Sequence, residues 1–337
     1  MPDSAAGDIY PDTPTRPPFD PELAPLPPMI REVIPPLSAE TLEATRAMSS
    51  DGIPGLEPVD LTAGGAVRVE ERQVPGPEGA PDVTVLILSP SEGEGLRAGI
   101  YFTHGGGMVV GDRRTGVDLF LPYVAEGLAV VVSVEYRLAP EHPDPAPIED
   151  CYAGLLWTAQ NAGELGVDPE RILIAGASAG GGLAAGTALL ARDRGRPQLS
   201  HQVLICPMLD DRFETHSSRM LDQEGCWDRN DNLYGWTALL GERRGGPDVS
   251  PYAAPARAED LAGLPRTCID VGSVDTFRDE ALAYAGRLSE AGVLVDLHMW
   301  GGAFHGFDAL GSWGSFAAVS RASVAARDEF IRRALEA

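Results

Sequence analysis

Apolar and polar residues follow two rhythms along this chain. Alternation of period two, or short continuous apolar runs, marks VRVEERQV (67–74), VTVLILSP (83–90), GIYFT before a glycine-rich loop, LAVVVSVEY (128–136), RILIAG (171–176), HQVLICPML, RTCIDVG and VLVDLHMW as strands. A Pro/Gly turn at 75–81 separates the first two. Between the later strands the spacing changes to that of helices: Ile148 to about Ala162, ASAGGGLAAGTALLARD, RDEALAYAGRLSEAG and, at the end, FAAVSRASVAARDEFIRRAL. Strands alternating with helices predict a mostly parallel sheet covered on both faces, and the continuous apolar strands agree, because central parallel strands are buried on both sides.

Two segments stand outside this rhythm. From about Pro21 to Asp51, Met29, Ile30, Val33 and Ile34, then Leu42, Ala44 and Met48, suit two short amphipathic helices broken at Pro35-Pro36. Residues from about Asp210 to Gly246 carry two tryptophans among many polar residues and are too long for an ordinary connection between a helix and a strand. Residues 1–20, rich in Pro and Asp, read as disordered or draped on the surface.

The chain has 337 residues, 44% of them hydrophobic, enough to bury a large core without disulfide staples. Its formal net charge of −24 repels phosphate backbones and anionic lipid headgroups, which argues against nucleic acid or a membrane surface as partner. Cys151, Cys206, Cys226 and Cys268 are widely spaced, so their pattern suggests neither a disulfide framework nor a zinc site. Cys206 and Cys268 lie in apolar runs, as core residues do. The acidic, proline-rich start lacks the basic and apolar regions of a signal peptide, and no apolar run reaches membrane-spanning length, so the expected location is the cytoplasm.

The sharpest chemical signal is Gly176-Ala177-Ser178-Ala179-Gly180, a G-x-S-x-G pentapeptide where a strand ends and a helix begins. A serine on so tight a turn is strained, and its neighbours two residues away must be tiny to avoid collision. The turn lifts the hydroxyl above the sheet edge at a helix N-terminus, whose free N–H groups favour developing negative charge. Ser178 is therefore the candidate nucleophile. His104-Gly105-Gly106-Gly107 follows GIYFT, and its glycines let backbone N–H groups approach a ligand without obstruction. A tetrahedral oxyanion needs two or three such preorganised donors, expected here from Gly106, Gly107 and Ala179. The glycine spacing of a phosphate loop is absent. His104 reads as a structural support of its loop.

The base must follow the nucleophile in the order Ser, acid, His. His201 begins a strand, His216 lies in the polar insertion and His298 is inside VDLHMW. His305, in GGAFHGFDAL, lies between the last strand and the last helix, where a base can reach over the sheet edge; Phe304 and Phe307 flank it and Gly306 leaves it room. For the acid, Asp275 lies just past RTCIDVG, in the loop. Asp270 is within the strand, and Asp279 and Glu280 open a helix, where acidic residues complement the dipole.

With HGGG, G-x-S-x-G, Asp and HGF in this order, the chain resembles the hormone-sensitive-lipase-like family of bacterial esterases, and Tyr136-Arg137-Leu138-Ala139-Pro140-Glu141-His142-Pro143 and Ile148-Glu149-Asp150 add to the likeness. The resemblance covers most of residues 60–337. It implies an α/β-hydrolase fold with a helical cap: residues 1–60 as tail and cap helices, 61–209 and 247–337 as the two parts of the catalytic domain, and 210–246 as a cap insertion. It implies a serine carboxylesterase working through an acyl-enzyme, with no metal or organic cofactor, on small esters with short acyl chains, and often a homodimer. Amidase, lactonase or acyltransferase chemistry would use the same triad, and a small-molecule receptor can keep the same shell; the intact Ser178, Asp275 and His305 argue against a receptor. The chain departs from the family pattern at Ala177, usually Asp, at Met108, often aromatic, and in the acid motif, which reads Asp275-Thr276-Phe277-Arg278-Asp279-Glu280. These departures bear on the acyl pocket and pH optimum and remove no reacting group.

Overall fold

A computed structural model of the chain describes residues 13–51, 59–308 and 317–336. Most of the segment expected to be disordered, residues 1–12, lies outside this description. Eight strands form one sheet: β1 (Val67–Val74), β2 (Val83–Pro90), β3 (Arg97–Thr103), β4 (Ala129–Glu135), β5 (Val167–Ala177), β6 (His201–Ile205), β7 (Arg266–Val274) and β8 (Val295–Phe304). Their spatial order is β1-β2-β4-β3-β5-β6-β7-β8. Only β2 runs against its neighbours, being antiparallel to both β1 and β4; from β4 to β8 every pairing is parallel.

The described helices are α1 (Leu26–Val33), α2 (Leu42–Asp51), α3 (Leu121–Ala125), α4 (Ala146–Gln160), α5 (Ala162–Leu165), α6 (Ala179–Asp193), α7 (Arg229–Leu240), α8 (Arg278–Glu290) and α9 (Ala318–Glu336), with short 3-10 turns between some of them. Successive strand residues point to opposite faces. Val130, Val132 and Val134 of β4 pack into one core with Leu155 of α4, Leu183 of α6 and Tyr284 of α8. Ala129 and Val131 pack into a second core with Val124 of α3 and Phe330 and Ile331 of α9. The sheet is thus buried on both sides, which explains why its central strands carry no polar alternation.

Strand β8 runs four residues further than its apolar pattern suggests. Gly301 and Gly302 read as a turn, yet pairing with β7 resumes at Val274–Phe304 after a register shift. Gly302 takes φ +72° and its N–H donates to Ser273 Oγ at 2.8 Å, so these glycines make a bulge inside the strand.

The two segments outside the α/β rhythm meet each other. Arg31 of α1 donates to the Gly225 carbonyl at 2.9 Å and pairs with Asp231 of α7, and the Leu37 N–H donates to Asp231 at 2.8 Å. Leu23, Leu26 and Ile30 pack on Phe304 and Phe307, either side of His305. From α2, Arg46 reaches the carbonyls of Val109 and Ala139 at 2.8 and 2.9 Å and clamps Glu141 with both terminal nitrogens. All 26 basic residues are arginines, whose planar fork suits such two-point contacts. Among the described residues no helix is long and apolar enough to cross a membrane.

Candidate active site

The parallel strands deliver the candidate residues to one edge of the sheet. At the end of β5 the chain reverses into α6 through Ser178, whose φ of 58° and ψ of −123° lie far from the usual regions for an L-residue. Such a conformation costs about 1–3 kcal/mol and persists only where surroundings hold it. Here the Ser178 N–H donates to the Ile205 carbonyl at 2.8 Å, and its own carbonyl accepts from the Met208 N–H at 2.9 Å. The small neighbours are obligatory: a Cβ on Gly176 would lie 2.1 Å from the Gly180 oxygen, and one on Gly180 would lie 2.1 Å from the Thr103 oxygen.

His305, the first residue after β8, and Asp275, the first after β7, converge on this serine. His305 Nε2 is 2.9 Å from Ser178 Oγ, and His305 Nδ1 is 2.9 Å from Asp275 Oδ2. Asp275 is fully buried, and its other oxygen accepts the Phe277 N–H at 2.9 Å. The Phe277 ring meets the imidazole edge-on with centroids 5.1 Å apart, and Trp227, from the 210–246 segment, stands 6.1 Å away. Burial disfavours a charged His305, but the adjacent Cys206 sulfur and Asp275 carboxylate outweigh it and hold its pKa well above the ordinary histidine value.

The glycine loop lies alongside. A Cβ on Gly105 would come within 3.4 Å of the Ser178 Cβ. Gly106, Gly107 and then Met108 take φ of 111°, 61° and 64°, which turns the loop tightly back on itself. Among the described residues, none accepts a hydrogen bond from the backbone N–H of Gly106, Gly107 or Ala179. Backbone donors left free in this way are what a developing oxyanion requires. His104 is fully buried, stacked on Tyr136 with ring centroids 4.1 Å apart, and burial lowers its pKa, so it is a neutral support of the loop. The Tyr136 hydroxyl donates to the His104 carbonyl at 2.8 Å, and Arg137 forks onto Asp150 with both distances 2.7 Å. The YRLAPEHP segment is therefore the floor of the glycine loop, tied to α4 through Asp150.

The remaining polar residues depart in part from the reading of the sequence. Asp270 is taken up in the strand layer, 3.1 Å from His298 and 3.5 Å from Arg327. Asp279 does sit at a helix start, where it accepts the Ser217 N–H at 2.8 Å. Glu280 does not simply complement the dipole: it is buried, and one oxygen accepts the N–H groups of Leu209 and Asp210 at 2.7 and 3.3 Å. Cys206 packs in the core as expected. It also brings its sulfur within 4.8 Å of both an Asp275 oxygen and a His305 nitrogen. Only strand register could have revealed this. Ile205 pairs with Ala177, so the next residue lies beside the nucleophile. Trp227 was visible only as one of two tryptophans in a polar insertion.

Comparison with known proteins places the fold and the class of reaction. The sequence profile of the alpha/beta hydrolase fold family matches residues 100–309. The chain is 38% identical over 253 residues to carboxylesterase NlhH of Mycobacterium tuberculosis, a match covering 72% of this chain and 76% of that protein. It is 33% identical over 241 residues to an arylesterase of Saccharolobus solfataricus, covering 70% of this chain and 74% of that one. Among solved structures, a bacterial heroin esterase superposes with a TM-score of 0.83 at 39% identity, covering 94% of this chain and 98% of that one. Fold and relatives together define a hydrolase of ester bonds. The chain belongs to the alpha/beta hydrolase fold family, in its hormone-sensitive-lipase-like branch of carboxylesterases.

Proposed function

We propose that this carboxylesterase works through Ser178, His305 and Asp275, with the N–H groups of Gly106, Gly107 and Ala179 as its oxyanion hole. The observation that carries the assignment is the relay of two 2.9 Å contacts, from Ser178 Oγ to His305 and from His305 to a buried Asp275. His305 Nε2 takes the hydroxyl proton as Ser178 Oγ attacks the ester carbonyl. Asp275 keeps the other ring hydrogen on Nδ1 and stabilises the imidazolium. The three amides hold the oxyanion, each such donor being worth about 10²–10³ in rate. The imidazolium then protonates the departing alkoxide, and water repeats the sequence on the acyl-enzyme to free the acid.

We assign residues 61–209 and 247–337 to the catalytic domain, and α1, α2 and residues 210–246 to a cap over it. Trp227 supports a preference for short acyl chains. A Cβ on Gly107 would lie 2.3 Å from its indole, so this ring closes the space beside the oxyanion loop. A series of nitrophenyl esters from acetate to decanoate tests both points. Hydrolysis should be fastest for the short chains and fall by about 10⁶ in Ser178→Ala, as for other serine triads. An S178A variant of near-normal activity would overturn the nucleophile, and equal rates along the series would overturn the narrow pocket. A serine-reactive phosphonate should label the wild type at Ser178 with one equivalent per chain.

A further inference from the structure

The proposed triad carries a fourth group that the acyl-transfer cycle does not use. Cys206 follows β6, between Ile205, whose carbonyl holds the Ser178 N–H, and Met208, whose N–H holds the Ser178 carbonyl. Its φ is 38°, uncommon for a side-chain-bearing residue, and its N–H donates to the Asp270 carbonyl at 2.6 Å. The backbone at this position is therefore fixed from both sides, at the elbow and at β7. Cys206 Sγ, a carboxylate oxygen of Asp275 and a ring nitrogen of His305 all lie within 4.8 Å of one another. Thiolate, imidazole and carboxylate are the donor set of tetrahedral zinc.

We propose that Cys206, Asp275 and His305 form an inhibitory site for a thiophilic divalent cation, with Zn²⁺ as its probe. The cation takes the place of the proton between His305 Nδ1 and Asp275 and adds the Cys206 sulfur. Ligand atoms around tetrahedral zinc stand about 3.3–3.7 Å apart, by the usual 2.0–2.3 Å bond lengths. The 2.9 Å contact between His305 and Asp275 therefore opens by less than about 1 Å to admit the ion. The proton balance explains the inhibition. The thiol releases its proton to solvent; a neutral ring moves its hydrogen from Nδ1 to Nε2, and a protonated ring instead loses its Nδ1 hydrogen to solvent and keeps the one on Nε2. An Nε2–H cannot accept the proton of Ser178, so the base is silenced while the fold stays intact.

A second Cys–Asp–His group shows what is special about this one. Cys268, Asp270 and His298 are equally close together. There Arg327 stands 3.5 Å from Asp270, and the Trp300 indole donates to the same carboxylate at 3.3 Å. A guanidinium already occupies the cationic side of that carboxylate and repels a metal ion. Among the described residues Asp275 has no arginine in ion-pair contact; the group paired with it is the His305 ring.

The ligand set does not depend on the catalytic assignment, but its inhibitory consequence rests on His305 being the base. The experiment separates the two on the full-length protein. Co²⁺ is titrated into chelator-treated wild type, S178A and Cys206→Ser, with absorbance recorded in the near ultraviolet. In parallel, Zn²⁺ is titrated against nitrophenyl acetate hydrolysis by the wild type and C206S. A cobalt–thiolate band should grow to one ion per chain in the wild type and in S178A, and be absent in C206S. Zn²⁺ should inhibit the wild type reversibly, with a chelator restoring activity, and inhibit C206S at least about tenfold more weakly. Wild type without the cobalt band overturns the site whatever C206S does, so a variant that fails to fold leaves the test intact. A band with no zinc inhibition overturns the proposed consequence. Unchanged hydrolysis by S178A would instead strike at the catalytic assignment and leave the ligand set standing.

Discussion

At the scale of single residues, the electrostatics of the proposed triad set the pH dependence to expect of it. The base must be neutral to accept the Ser178 proton. Because Asp275 and Cys206 hold the His305 pKa well above its ordinary value, the protonated ring persists to higher pH than in a free histidine. Activity should therefore fall on the acid side with a midpoint above the usual histidine value of about 6.5, as read from kcat/KM against pH. Asp275→Asn should lower kcat/KM by about 10⁴, through loss of the correct ring tautomer. Glu280 makes a different prediction. Burial raises its pKa well above the ordinary carboxylate range. A raised acid is neutral in the folded protein, so folding becomes less favourable as pH climbs past the unfolded pKa of about 4.3. Glu280→Gln keeps an oxygen for the Leu209 N–H and removes the titration. The stability of E280Q relative to wild type should therefore grow between pH 4.5 and 7.5, at up to about 1.4 kcal/mol per pH unit. Urea denaturation at the two pH values measures it, and a constant difference would show that Glu280 is not held neutral.

At the scale of elements, two glycines in helices contrast the demands of the elbow with ordinary helix propensity. Gly286 lies in α8, where an added Cβ meets nothing within 4 Å. Gly286→Ala should stabilise the protein by about 0.5–1 kcal/mol, seen as a small rise in Tm. Gly180→Ala drives its methyl into the Thr103 and His104 oxygens, at 2.1 and 2.4 Å. It should destabilise by about 1–3 kcal/mol and lower kcat, because relief comes only by moving the elbow or the glycine loop. Thermal melts of both variants beside their kcat values test the contrast.

Much of this element-level pattern was legible in the sequence. The bounds of β1 and β2 follow from alternation, and the break between α1 and α2 follows from Pro35-Pro36. The elbow announced itself because tiny residues around a serine have a steric cause that is purely local. What pattern missed was the far end of β8, since glycines in a bulge look like glycines in a turn. The partners of Glu280 were equally hidden. A carboxylate at a helix start looks the same whether it faces water or, as here, the backbone of a loop 70 residues away.

At the scale of the whole molecule, the His305 loop is held from behind by the last helix. Asp308, three residues beyond His305, accepts hydrogen bonds from Ser323 and Arg327 of α9, both at 2.8 Å. Arg327 also stands 3.5 Å from Asp270 of β7, and all three charged groups are buried. Arg327→Ala leaves two buried carboxylates without their cation. It should destabilise the protein by about 3–5 kcal/mol and lower kcat by loosening the His305 loop. Urea unfolding showing a loss below about 1 kcal/mol would mean that the pair is solvated in solution.

The chain by itself determined the α/β rhythm, the serine turn and the glycine loop, because each is written in residues that are neighbours in sequence. Tertiary structure decided what lies beside them: Cys206 against the His305 imidazole, Trp227 over Gly107, Tyr136 beneath His104, and Arg327 behind the His305 loop. These contacts join segments whose distance along the chain is unrelated to their distance in space. Strand order and register set those separations, and they are properties of the folded sheet rather than of any one stretch of sequence.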